Sequence, residues 1–159
     1  MTTAFDMFLE TEVPEDELIV SRTDFTGKIT YVNETFAEIS GYKPEELIGQ
    51  PHNVIRHPDM PKSAFADLWE TVQRGDTWEG YVKNLRKDGG YYWVFARVST
   101  VIKNGEAIEY KSVREPVSRE KKIEIQNLYD KIRSEEEETT RVVLYVKNEK
   151  LEMAEALEK

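Results

Sequence analysis

The chain has no cysteine. Disulfides and thiolate metal sites are therefore excluded, and a reducing compartment suits the composition. No run of about 18 apolar residues occurs, so no membrane-spanning helix is expected. The N-terminus lacks a basic segment followed by an apolar one, so no secretory signal is legible and a cytoplasmic location is expected. Positive charge is scarce. Twenty-two Lys and Arg face 31 Asp and Glu, for a net charge of −9 over 159 residues. A phosphate-binding face for nucleic acid needs a basic excess, so nucleic acid is not an expected partner. No Gly-x-Gly-x-x-Gly loop is present, and any dinucleotide would have to be held in another manner. No nucleophile–base constellation and no metal-ligand spacing is visible, so no enzymatic activity is expected.

Against that background one stretch is dense in chemistry. Gly49 to Pro61 holds both histidines of the chain and three of its six prolines. Each proline removes a backbone donor and restricts the residue before it, so the stretch predicts a stiff loop with one helical turn. His52, Asn53, Arg56, His57 and Asp59 crowd into it, which makes it the candidate site.

Around this loop the periodicity changes in a regular order. Residues 1–16 carry five acids and no Lys or Arg, with Phe5, Met7, Phe8 and Leu9 among them. They read as an N-terminal cap on the domain, or as a frayed tail. Residues 17–23 and 28–33 predict a hairpin turning at Gly27. Phe36, Ile39 and Ser40 suit a short helix closed by Gly41, and Pro44 opens another over 44–48. Phe65, Leu68, Trp69 and Val72 give a longer helix over 62–74. Strands follow over 78–85, 91–102 and 107–113, the last two joined at Asn104-Gly105. Strands separated by a helical block predict an α+β fold, with helices on one face of a sheet. Beyond Pro116, Ile125, Leu128, Tyr129 and Ile132 predict an amphipathic helix. A degraded heptad continues to the end, readable as one long association helix or as a short strand over 142–146 plus a helix. The division is thus a cap (1–16), a core domain (17–117) and a C-terminal association segment (118–159).

Gly27-Lys28-Ile29-Thr30-Tyr31-Val32-Asn33, with Phe36, Ser40-Gly41-Tyr42 and Glu46-Leu47-Ile48-Gly49, resembles a PAS domain. Lys83-Asn84 and Tyr92-Trp93-Val94 fit the same family's sheet. More narrowly, Gln50 to Pro61 followed by Phe65-Ala66-Asp67-Leu68-Trp69 is similar to the sensor of Aer-type energy-taxis receptors and of stand-alone energy-taxis PAS proteins. The resemblance implies a five-stranded antiparallel sheet and non-covalently bound FAD that reports redox state. It implies Arg56, His57 and Asp59 as FAD contacts, Trp69 on the bordering helix, and Asn84 facing the isoalloxazine ring. Asn33 and His52 are further carry-overs. It also implies a homodimer that signals to a separate chemotaxis-type receptor, since no methyl-accepting segment is present.

The residues themselves admit plainer roles. Arg56 and Asp59 could form a surface ion pair, and His57 could cap a helix. Trp69 has core spacing, Trp93 suits core over ligand, and Asn33 could be an N-cap. Two other functions stay open. A haem-based gas sensor would need His52 or His57 as axial ligand, and a cofactor-free module would only dimerise. A flavin–cysteine photoadduct is excluded by the missing cysteine.

Overall fold

The computed structural model of the chain describes residues 9–137. In chain order these form β1 (Ile19–Thr23), β2 (Ile29–Val32), α1 (Glu34–Ser40), α2 (Pro44–Leu47), a 3-10 turn (His52–Ile55), α3 (Lys62–Gln73), β3 (Trp78–Leu85), β4 (Tyr91–Lys103) and β5 (Glu106–Glu115). A final helix, α4, occupies residues 119–137. The strands pair antiparallel in the order β2-β1-β5-β4-β3, which leaves β2 and β3 as the two edges. This is the five-stranded α+β fold expected from the sequence. The cap residues Phe5, Met7 and Phe8, and the strand-or-helix question over 142–146, lie outside the described residues.

Local chemistry sets the boundaries. The Asn33 side chain accepts from the Phe36 N–H at 3.0 Å and so caps α1. Gly41 ends that helix at φ 78°, a conformation that costs glycine nothing. Asn104 and Gly105 both take positive φ, 52° and 81°, which matches the twist of the β4–β5 hairpin.

The pleat of the sheet separates two faces. Ile19, Ser21, Tyr92, Val94, Ala96, Ser112 and Arg114 are buried on the inner side, with α1 to α3 over it. The opposite side of β3 and β4 receives α4. There Tyr129 stacks on Trp93 with ring centroids 6.2 Å apart, and its hydroxyl donates to the Tyr81 carbonyl at 2.6 Å. Trp93 is therefore core, but core beneath α4. Ile125 and Tyr129 are buried, whereas Leu128 is 47% exposed. Neighbouring residues on a helix diverge by about 100°, so the residue before Tyr129 cannot share its buried stripe. The expected apolar face is thus narrower, and Leu128 and Ile123 face outward.

Residues 9–13 run beside the start of β4. Thr11 N–H donates to the Tyr91 carbonyl at 2.8 Å, Tyr91 N–H donates to the Leu9 carbonyl at 3.0 Å, and Val13 enters the core. Lys122 of α4 pairs with Glu10 at 3.1 Å and Glu12 at 3.0 Å. The N-terminal segment and α4 are thereby tied together on the rim of the sheet.

Tyr129→Ala is expected to lower stability by about 3 kcal/mol, through lost aromatic burial and lost anchoring of α4. A urea unfolding series checks this. A loss under about 1 kcal/mol would mean that α4 contributes little to the fold.

Candidate functional site

The loop over 49–61 spans the inner face from one sheet edge to the other. At the β2 edge, Ile29 N–H donates to the Gln50 carbonyl at 2.9 Å, and Gly49 N–H donates to the Ile29 carbonyl at 2.8 Å. At the β3 edge, Arg56 bridges Asn84, and the Lys83 N–H donates to Met60 Sδ at 3.3 Å. Both edges therefore present fewer free backbone groups than bare edge strands would. The prolines suit this course, because an extended strap makes few hydrogen bonds of its own.

Beneath the strap lies a cavity of about 190 Å³. Its walls come from β1 (Ser21, Thr23), the loop (His52, Asn53, Arg56), α3 (Phe65, Leu68, Trp69), β3 (Trp78, Val82, Asn84) and β5 (Tyr110, Ser112, Arg114). Trp69 meets Tyr110 edge to face at 6.0 Å. A Cβ on Gly27 would come within 3.2 Å of the Trp69 ring, so the β1–β2 turn leaves that indole its place. Trp78 is fixed by its indole N–H donating to Asp67 at 2.9 Å.

Four of the seven candidates meet at this cavity: His52, Arg56, Trp69 and Asn84. Asn33 does not. Its amide oxygen accepts from Phe36 N–H and Val20 N–H, and its NH₂ donates to the Leu18 carbonyl, which makes it an N-cap and strand tie. His57 and Asp59 also stand outside the cavity lining. The chain has turned around the β3 edge by then. His57 Nδ1 accepts the Asp59 N–H at 3.0 Å, and Asp59 bonds Lys83 Nζ at 2.7 Å. Sequence reasoning missed Arg114 and Ser112. The signal was there: on β5, Tyr110, Ser112 and Arg114 share one face, and a cation at core-facing parity is costly without a purpose.

The cavity is polar in an incomplete way. Asn84 Nδ2, Ser112 Oγ and Arg114 Nη1 are buried with no hydrogen-bond partner among the described residues. Tyr92 Oη lies against the Asn84 amide, and burial pushes its pKa up to about 12. Among the described residues no aspartate or glutamate lines the cavity, although Arg56 and Arg114 do. Arg56 sits at the rim, its guanidinium 3.6 Å from the Phe65 ring centroid. His52 is neutral. Burial, then the charge of Arg114, lower its pKa to about 3. Arginine only donates, so the 2.8 Å contact from Arg114 Nη2 makes His52 Nε2 the acceptor and puts the proton on Nδ1. The His52 Nε2 lone pair is thus taken by Arg114, and His57 lies outside the cavity lining. These features suit a flat polar ring with several acceptor atoms, held by donors and a cation.

A second network joins the strap to α4. Lys83 Nζ, buried on the outer side, bonds both Asp59 and Gln126, the latter at 3.0 Å. Arg133 approaches Asp59 at 3.7 Å. Burial opposes ionisation of Asp59, but the Lys83 hydrogen bond and charge outweigh it and hold the carboxyl below its ordinary pKa. The N-terminus of α3 begins at Pro61 without a capping side chain. Glu136 of α4 caps it from outside, accepting from Ser63 N–H at 2.9 Å and Lys62 N–H at 3.1 Å. The wall of the cavity and α4 are therefore mechanically linked.

A family model described as the PAS fold matches residues 29–114, more than half of the chain. The chain belongs to the PAS family. The domain is 44% identical over 119 residues to the aerotaxis receptor of Escherichia coli, a match that covers 75% of this chain and 24% of the receptor. It is 28% identical over 109 residues to the nitrogen fixation regulatory protein of Klebsiella pneumoniae, covering 68% of this chain and 22% of that protein. The chain thus spans about a quarter of the length of these curated relatives. A solved light-oxygen-voltage domain, described with a flavin analogue, superposes with a TM-score of 0.60 at 21% identity and covers 72% of this chain and 87% of its own. The light-state structure of the Aureochrome1 light-oxygen-voltage photoreceptor superposes at 0.59 with 18% identity, covering 74% and 90%. Those likenesses establish the fold. Among the described residues, no helix is long and apolar enough to cross a membrane.

Two outcomes are expected from this geometry. Burial, then the nearby Lys83 charge, lower the pKa of His57 to about 4, and that of His52 lies at about 3. Both fall below the free value of about 6.5, so the folded state binds fewer protons than the unfolded one. Stability is full above that pH and is lost as pH falls through the window, by up to about 1.4 kcal/mol per pH unit per histidine. Urea midpoints at pH 7 and pH 5 measure this, and equal midpoints would contradict it. Glu136→Gln is expected to cost about 1 kcal/mol by weakening the cap on α3. Hydrogen exchange at Lys62 and Ser63 should rise in that variant, and unchanged exchange there would show that the cap is idle.

Proposed function

We propose that this PAS domain is a redox sensor that holds FAD non-covalently in the cavity and passes the ring's state to a chemotaxis-type signalling partner. The observation that carries the reading is the set of three stranded polar atoms, on Asn84, Ser112 and Arg114, around one cavity without carboxylates. The likeness to the aerotaxis receptor supports the sensory role. Bound FAD would supply a ring that changes charge and hydrogen bonding on reduction. Arg56, exposed at the mouth, is suited to the diphosphate, since its planar fork pairs with phosphate oxygens. Trp69 supplies a wall. Asn84 can donate or accept and so can follow a change at the ring edge. His57 and Asp59 hold the strap in position and touch the cofactor only through its neighbours.

The cavity wall and the output helix share β3. Asn84 faces inward, while Lys83 faces Asp59 and Gln126. A change in the pull on Asn84 shifts the strand, and the Lys83 network carries that shift to α4. Ile123 and Leu128 on the exposed side of α4 then offer apolar surface for a second copy or for a receptor. The sensor reading places the domain in the cytoplasm as a homodimer.

The test is an absorption spectrum of the purified chain before and after dithionite. A flavin spectrum that bleaches on reduction, with FAD near one per chain, is expected. A colourless protein that takes up no added FAD defeats the reading. Arg56→Ala should lose FAD and keep its fold. Asn84→Ala should keep FAD but alter its midpoint potential, and an unchanged midpoint would remove Asn84 from its role.

A further inference from the structure

Arg114 is 3% exposed, on the inner face of β5 opposite Ala96 of β4. One of its terminal nitrogens, Nη2, donates to Ser21 Oγ at 3.0 Å and to His52 Nε2 at 2.8 Å. The other, Nη1, has no partner among the described residues. The guanidinium carbon lies 5.1 Å from the Phe36 ring centroid. Among the described residues no carboxylate pairs with it. The charged and titratable groups that bear on this corner are His52, Arg56 and Tyr92. The first is neutral, the second is a cation, and the third is a buried phenol. A guanidinium stripped of water and denied a counter-ion is a net cost to the fold. Such a cost fits a group whose partner is a ligand.

We propose that Arg114 is the cavity's charge-complementary ligand contact: Nη1 takes an acceptor atom of the bound ring, and the pairing favours the reduced ring over the oxidised one. This rests on the flavin reading above. The direction follows from charge: electrons added to the ring raise negative charge next to a fixed cation with no competing anion. His52 and Ser21 are positioning residues. They occupy Nη2 and hold the fork in one plane, which leaves Nη1 for the ligand. Arg56 works differently, since it stands at the rim in reach of solvent and its interactions are screened.

The full chain is compared as wild type, Arg114→Met and Arg114→Lys, each FAD-free and FAD-loaded. Three quantities are read: the Tm of the FAD-free protein, the Kd for FAD, and the midpoint potential by dye-coupled titration. Arg114→Met should leave the FAD-free Tm unchanged or raised, because a buried unpaired cation is gone. Its Kd should weaken, and its potential should become more negative, corresponding to a reduced-to-oxidised affinity ratio lower by about tenfold or more. Arg114→Lys keeps the charge without the fork and should fall between the two, and it carries the redox comparison if the methionine variant binds too weakly or fails to fold. A potential equal to wild type in a variant that still binds FAD overturns the proposal. So does a lowered FAD-free Tm with Kd and potential unchanged, which would make Arg114 a structural brace. If the wild-type chain takes up no FAD at all, the flavin reading fails first and this pairing fails with it.

Discussion

On β3 the side chains of Lys83 and Asn84 leave the backbone in opposite directions. That alternation is a property of any strand, but here it puts one residue in the cavity wall and its neighbour in the network that holds α4. Because β3 is an edge strand, its free side is also open to the strap, which bridges at Arg56 and Met60. Sheet, strap and α4 therefore meet within two consecutive residues. A small displacement of that strand cannot be absorbed locally, since close-packed interiors transmit strain.

The inner face is organised around groups the fold leaves incomplete. A domain built for stability alone would fill this face with aliphatic side chains, as it does at Ile19, Val94 and Ala96. Instead the cavity holds an amide, a hydroxyl and a guanidinium, each with one atom that finds no partner among the described residues. The outer face shows the opposite arrangement. Lys83, Asp59 and Gln126 satisfy one another, and Tyr129 spends its hydroxyl on a backbone carbonyl. Three of the open polar atoms gather around one cavity, which supports reading it as the sensing site.

Much of this was legible in the chain. Glycine and proline punctuation gave the element order, and the Asn104-Gly105 turn gave the long hairpin. The residues that reach the cavity from regular elements, Trp69 on α3 and Asn84 on β3, were placed by the motif's position. The strap was harder. Its density of polar groups suggested that all of them face one ligand, but a thirteen-residue segment that crosses a sheet edge divides them between two sides. His57 and Asp59 fall beyond the edge, and only geometry reveals it. Arg114 was overlooked for another reason. The strand expected over 107–113 stops one residue short of it, whereas β5 continues to Glu115 and its parity turns Arg114 inward.

The central claim is that the cavity's state reaches α4 through β3 and the strap. Hydrogen–deuterium exchange of the FAD-loaded chain, oxidised against dithionite-reduced, tests it directly. The account predicts altered protection on reduction at residues 56–60 and 82–85, and again across 119–137. A change confined to the cavity walls, with 119–137 exchanging identically in both states, would contradict it.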